Sequence, residues 1–84
     1  MFEIKKCKTK AAYKAQPLKN VNLDLNKLKE KYETSFDSKI VIIIKLKGYE
    51  ITIHKFGEII FKNCIDKKFM EKTAQEIYYE SLLR

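Results

Sequence analysis

Between Lys39 and Cys64, "KIVIIIKLKGYEITIHKFGEIIFKNC", an apolar run from Ile40 to Ile44 gives way to an alternation of polar and apolar residues up to His54. A period of two is the mark of β-strands whose two faces meet different surroundings. Lys39–Leu46 predicts a long apolar strand. Lys47-Gly48 predicts a two-residue hairpin turn with the glycine at positive φ, and Tyr49–His54 is the returning strand. Lys55-Phe56-Gly57 predicts a second turn, followed by a strand over Glu58–Cys64. A two-residue turn fixes the register. Leu46 then pairs with Tyr49, Ile44 with Ile51 and Ile42 with Ile53 on one side. Lys45 with Glu50, Ile43 with Thr52 and Val41 with His54 fall on the other. The first set, continued by Ile59 and Phe61, is unbroken apolar surface and must be covered.

The flanking segments supply the cover. Cys7 to Ala15 alternates, with Cys7, Thr9, Ala11, Tyr13 and Ala15 on one side and Lys8, Lys10, Ala12 and Lys14 on the other. It predicts a strand with a basic outer face, ended by Gln16-Pro17 because proline cannot donate to a ladder. "NVNLDLNKLKEKYE" predicts a short helix, capped by Asp24 or Asn22, that buries Leu25, Leu28 and Tyr32. "TSFDS" breaks that pattern. Asp66 caps a last helix whose inward side is Met70, Thr73, Ala74, Ile77 and Ser81. The order strand, helix, strands, helix predicts an α+β domain, an antiparallel sheet of the β-α-β(3-4)-α kind with both helices on one face. The opposite face stays open. It carries Val41, Ile43, Thr52, His54 and Ile60, with Lys8, Lys10, Lys14, Lys39, Lys45 and Lys62 in the same register, and is the chief candidate for function. Val41, Ile43 and Ile60 are β-branched apolar residues that need hiding, by a second copy, another protein, a nucleic-acid groove or a local loop.

Charge narrows the field. The 84 residues suffice for one small domain, 1–84, and carry a net charge of +7. Six lysines against Glu3 alone fall within residues 1–20, whereas four bases meet four acids from Asp66 to Arg84. A basic arm on a neutral body points to an anionic partner, nucleic acid first. Seventeen of the 18 basic residues are lysine in a chain rich in Ile and Glu, a composition typical of hyperthermophiles, so part of the excess is compositional habit. Cys7, Cys64 and a single histidine cannot complete a zinc ligand set, so neither metal nor cofactor is expected. The chain lacks paired carboxylates, an activated nucleophile and a glycine-rich phosphate loop, so no enzymatic activity is expected. It also lacks a membrane-length apolar run and a secretion leader, and is expected to be cytoplasmic.

The order and spacing of these segments resemble one repeat of the TATA-box-binding protein family, which runs strand, helix, four strands, helix. "LDLNKL" (23–28) resembles the family's Leu-Asp-Leu helix start, and "KIVIIIKL" (39–46) its central strand. "ITIHKFGEIIFKNCIDKKFMEKTAQEIY" (51–78) resembles its hairpin and last helix. The likeness covers about residues 22–82, with 7–15 in the place of the first strand; the second repeat is absent. It implies a curved half-saddle whose open underside meets the DNA minor groove. The family's kinking phenylalanines fall at His54 and near Lys39, its underside valine at Ile60, and its Thr-Gly pair at Lys62 and Asn63. Ala12 and Lys14 stand where the family has a small polar or apolar pair. Phe36 and Phe56 lie close enough to act as displaced wedges between base steps, or else Phe36 tucks under the first helix and Phe56 covers the sheet edge. One repeat buries little, so a homodimer or heterodimer is expected. Two functions follow: a nucleic-acid-binding module, DNA ahead of RNA, or a protein-interaction module using the same face, which Glu50 and Glu58 favour.

Overall fold

The computed structural model describes residues 2–6 and 12–82. Its elements are β1 (Phe2–Lys6), β2 (Ala12–Pro17), α1 (Leu25–Lys31), β3 (Glu33–Asp37), β4 (Val41–Leu46), β5 (Tyr49–His54), β6 (Ile59–Lys62) and α2 (Lys67–Ser81). The six strands form one sheet in the order β1-β2-β6-β5-β4-β3, every neighbour antiparallel. The chain is thus α+β with both helices on one face, as the pattern of residues predicts. Among the described residues no helix is long and apolar enough to cross a membrane.

The centre of the sheet follows the expected register. Lys47 and Gly48 both take positive φ, 52° and 85°, the pairing whose twist matches a two-residue hairpin. All six β4–β5 pairs, from Leu46–Tyr49 to Val41–His54, form as the turn dictates. Ile42, Ile44, Ile51, Ile53, Ile59 and Phe61 are fully buried against Leu25 and Leu28 of α1 and Met70, Ala74, Ile77 and Tyr78 of α2. Asp24 caps α1 by accepting from the Asn26 amide, and Asp66 caps α2 by accepting from the Phe69 amide. The inward side of α2 is the predicted set with Tyr78 added. Tyr32 is only half-buried and acts as the C-cap of α1, its amide donating to the Leu28 carbonyl.

Three expectations need correction. "TSFDS" is not a simple break, because Glu33–Asp37 forms the edge strand β3, bulged between Thr34 and Phe36. An edge strand needs only one ladder and tolerates the polar residues that read as a turn. The next strands are shorter than expected: β4 begins at Val41 and β6 runs from Ile59 to Lys62. At the N-terminus two strands replace one. Phe2–Lys6 pairs with Ala12–Pro17, while residues 7–11, including Lys8 and Lys10, lie outside the described residues. Tyr13 and Ala15 do face the core side, opposite Phe61 and Ile59. Pro17 belongs to β2 after all. β6 pairs only as far as Ala15, so Pro17 faces Phe2 alone, and its missing N–H disrupts no second ladder.

Candidate interaction surface

Antiparallel register places one row of side chains straight across the uncovered face. Phe36 lies opposite Ile43, Ile43 opposite Thr52, Thr52 opposite Ile60, Ile60 opposite Lys14, and Lys14 opposite Lys5. Four strands therefore contribute an apolar band, Phe36–Ile43–Thr52–Ile60, with a single hydroxyl in it. Phe36 is 50% exposed, and Ile43, Thr52 and Ile60 are half-buried, covered only by their neighbours. Val41 and His54, also half-buried, form the next row, and Glu33, Lys45 and Glu50 the row on the other side. Lys62 stands opposite the buried Ala12. The alternative that hid Phe36 beneath α1 fails for a local reason: the β3 bulge at Thr34–Phe36 shifts the parity and turns the ring outward.

The electrostatics of this face differ from the expected basic surface. Lys5, Lys14, Lys45 and Lys62 share it with Glu3, Glu33, Glu50 and Glu58, so acids and bases balance among the described residues. Lys14 reaches Glu58 at 3.4 Å and Lys5 reaches Glu3 at 3.0 Å. Lys45 lies between Glu33 and Glu50 on adjacent strands. Lys39, placed on this face by the sequence pattern, sits instead in the β3–β4 turn at the end of the sheet, because the strand starts two residues later. Among the described residues the remaining lysine excess lies off the open face, at the turns and ends of the sheet and on α1, while α2 is neutral.

Phe56 also belongs to the end of the sheet. It is 65% exposed in the β5–β6 turn and leaves the sheet edge uncovered. That turn is firmly held. The His54 amide donates to the Glu58 carbonyl at 2.8 Å, the Lys55 amide to the Ile40 carbonyl at 2.8 Å, and the Leu23 amide to the Lys55 carbonyl at 2.8 Å. Gly57 has φ +109°, and the Tyr78 hydroxyl donates to its carbonyl at 2.6 Å from inside the core. Burial, together with the nearby Glu58 carboxylate, pushes the Tyr78 phenol well above its ordinary pKa. Cys64 is completely buried with its thiol free.

Sequence reasoning put Val41, Ile43, Lys45, Thr52, His54, Ile60, Lys62 and Lys14 on one face, and the structure brings those eight together. It missed Glu33, Glu3 and Lys5, which β1 and β3 add, and it left Phe36 between this surface and a place under α1, which β3 decides for the surface. The alternation Phe2-Glu3-Ile4-Lys5 was the available signal for β1. No group of His, Cys, Asp and Glu suited to a metal ion occurs among the described residues. No protein-family model, curated protein or solved structure matches the chain.

Proposed function

We propose that the chain is a non-enzymatic assembly module whose open sheet face closes against a second copy of itself. The observation that carries this reading is the half-exposed band Phe36–Ile43–Thr52–Ile60 on a face where, among the described residues, four lysines match four glutamates. An apolar centre with a charge-balanced surround suits a protein surface. In a two-fold pair each lysine can meet a carboxylate of the other copy, whereas a phosphate backbone repels every carboxylate. Neighbouring strands lie about 4.8 Å apart and each residue adds about 3.3 Å, so the six-stranded face projects to roughly 400 Å². Two copies together would cover about twice that, below the roughly 1,000 Å² of a stable specific interface, so the pairing is a weak, concentration-dependent one.

The path β2–α1–β3–β4–β5–β6–α2 supports the resemblance to a single TATA-box-binding-protein-like repeat, a half-saddle with β1 added at the edge. Pairing two such repeats would supply the missing half. Nucleic-acid binding by the same face is the second reading, favoured by the net charge of +7. Sedimentation equilibrium over a wide concentration range separates the two. Self-association that survives high salt and is abolished by Ile43→Lys supports the assembly module. A monomer at every concentration that binds duplex or single-stranded DNA at low salt, with affinity falling steeply as salt rises, replaces it with the second reading.

A further inference from the structure

Three large apolar side chains stand out from the turn end of the sheet: Leu18 at 63% exposure, Ile40 at 56% and Phe56 at 65%. They come from three separate segments, and the backbone ties those segments together. The Lys55–Ile40 hydrogen bond joins the β5–β6 turn to the β3–β4 turn. On the other side Gly57 packs so closely that a Cβ there would lie 2.6 Å from Cγ of Pro17, the residue before Leu18. The Tyr78 hydroxyl fixes Gly57 from behind. Knobs held this firmly lose little freedom on binding, which is where much of the cost of association arises.

A concave site adjoins them. Pro17, Leu18, Lys19, Val21, Tyr78 and Leu82 line a groove of about 310 Å³ in which Lys19 is the one charged residue. Lys39 and Lys55 line a second hollow together with Lys29, Asp24 and Asp37. Asp37 is paired with Lys29 and Asp24 is engaged in capping α1, which leaves Lys39 and Lys55 for an incoming anion. Lys19, Lys39 and Lys55 form no ion pair among the described residues. A second copy would bring its own unpaired lysines against them. Nucleic acid would satisfy the lysines and could take the knobs as wedges between base steps, but it would leave the apolar groove unfilled, as would a flat bilayer. An apolar side chain flanked by carboxylates satisfies groove, knobs and lysines together.

We infer that this end of the molecule docks an acidic amphipathic segment of another protein, with an apolar anchor in the groove and carboxylates on Lys19, Lys39 and Lys55. The site shares no residue with the open face, so it stands or falls independently of the assembly reading.

The test is selection of a random peptide library on the intact chain, followed by anisotropy titrations of the selected peptides. The expected peptides combine a large apolar residue with several Asp or Glu. Their affinity falls about thirtyfold in a Leu18→Ser, Ile40→Ser variant and also falls in Lys39→Glu, but is unchanged by Ile43→Lys on the open face. Leu18 and Ile40 are exposed, so an unaltered unfolding midpoint verifies that the variant is folded. Failure to select peptides, selection without acidic bias, or indifference to both end variants overturns the inference. So does binding of phosphatidylserine vesicles or duplex DNA that the Leu18, Ile40 variant abolishes, because the end would then serve a membrane or nucleic acid.

Discussion

Gly57→Ala is the most revealing single change to the fold. Gly57 lies at φ +109°, beyond the small left-handed region open to residues with a side chain. Holding alanine there costs about 1–3 kcal/mol. The added methyl would also sit 2.6 Å from Pro17 Cγ and 2.7 Å from Val21 Cγ2. The proline ring is not a flexible chain end and cannot swing aside, so relief requires the turn or the β2–α1 linker to move, at about 1–3 kcal/mol more for overpacking. The sum, about 2–6 kcal/mol, is a large share of the roughly 4–13 kcal/mol expected for a domain of this length. Urea unfolding followed by circular dichroism measures it. Gly48→Ala is the control, because Gly48 has φ +85° with nothing within 4 Å of a Cβ, leaving only the backbone strain of about 1–3 kcal/mol without the overpacking. If Gly57→Ala costs no more than Gly48→Ala, the close packing of this turn against Pro17 and Val21 is refuted.

Two further predictions probe the faces and the core. Ile44→Ala should cost about 2–5 kcal/mol because Ile44 is fully buried, whereas Ile43→Ala, one residue away on the open face, should cost less than about 1 kcal/mol in the monomer; equal costs in urea titrations would contradict the strand parity. Because the folded chain holds the Tyr78 proton to higher pH than the unfolded chain, which releases it near about pH 10, the phenol's stabilising effect is intact below that pH and is lost as pH rises above it. Thermal unfolding across that range should show a decline of at most about 1.4 kcal/mol per pH unit from this group, and Tyr78→Phe should flatten it.

The hairpin β4–β5 and the inward side of α2 were legible because both rest on local rules. A two-residue turn sets every pair that follows, and a helical period selects one stripe. Tyr78 was missed because a tyrosine fits the stripe only when its hydroxyl has a buried acceptor, here the Gly57 carbonyl contributed by a turn 21 residues earlier. β3 was hidden by its polar edge composition, and its bulge reversed the placing of Phe36. The acids of the open face were legible only in part: Glu50 and Glu58 follow from the hairpin strands, but Glu3 and Glu33 arrive from β1 and β3, which only the assembled sheet brings alongside. The resemblance, with its four strands after the first helix, implied the extra strand that residue patterning alone passed over.

Dilution of the ¹⁵N-labelled chain, followed by amide chemical shifts, tests the assembly reading most directly because it reports both whether copies meet and where. The account predicts concentration-dependent shifts centred on Phe36, Ile43, Thr52 and Ile60, with α1 and α2 unmoved. Shifts confined to the helices, or spectra that do not change with concentration, would contradict it.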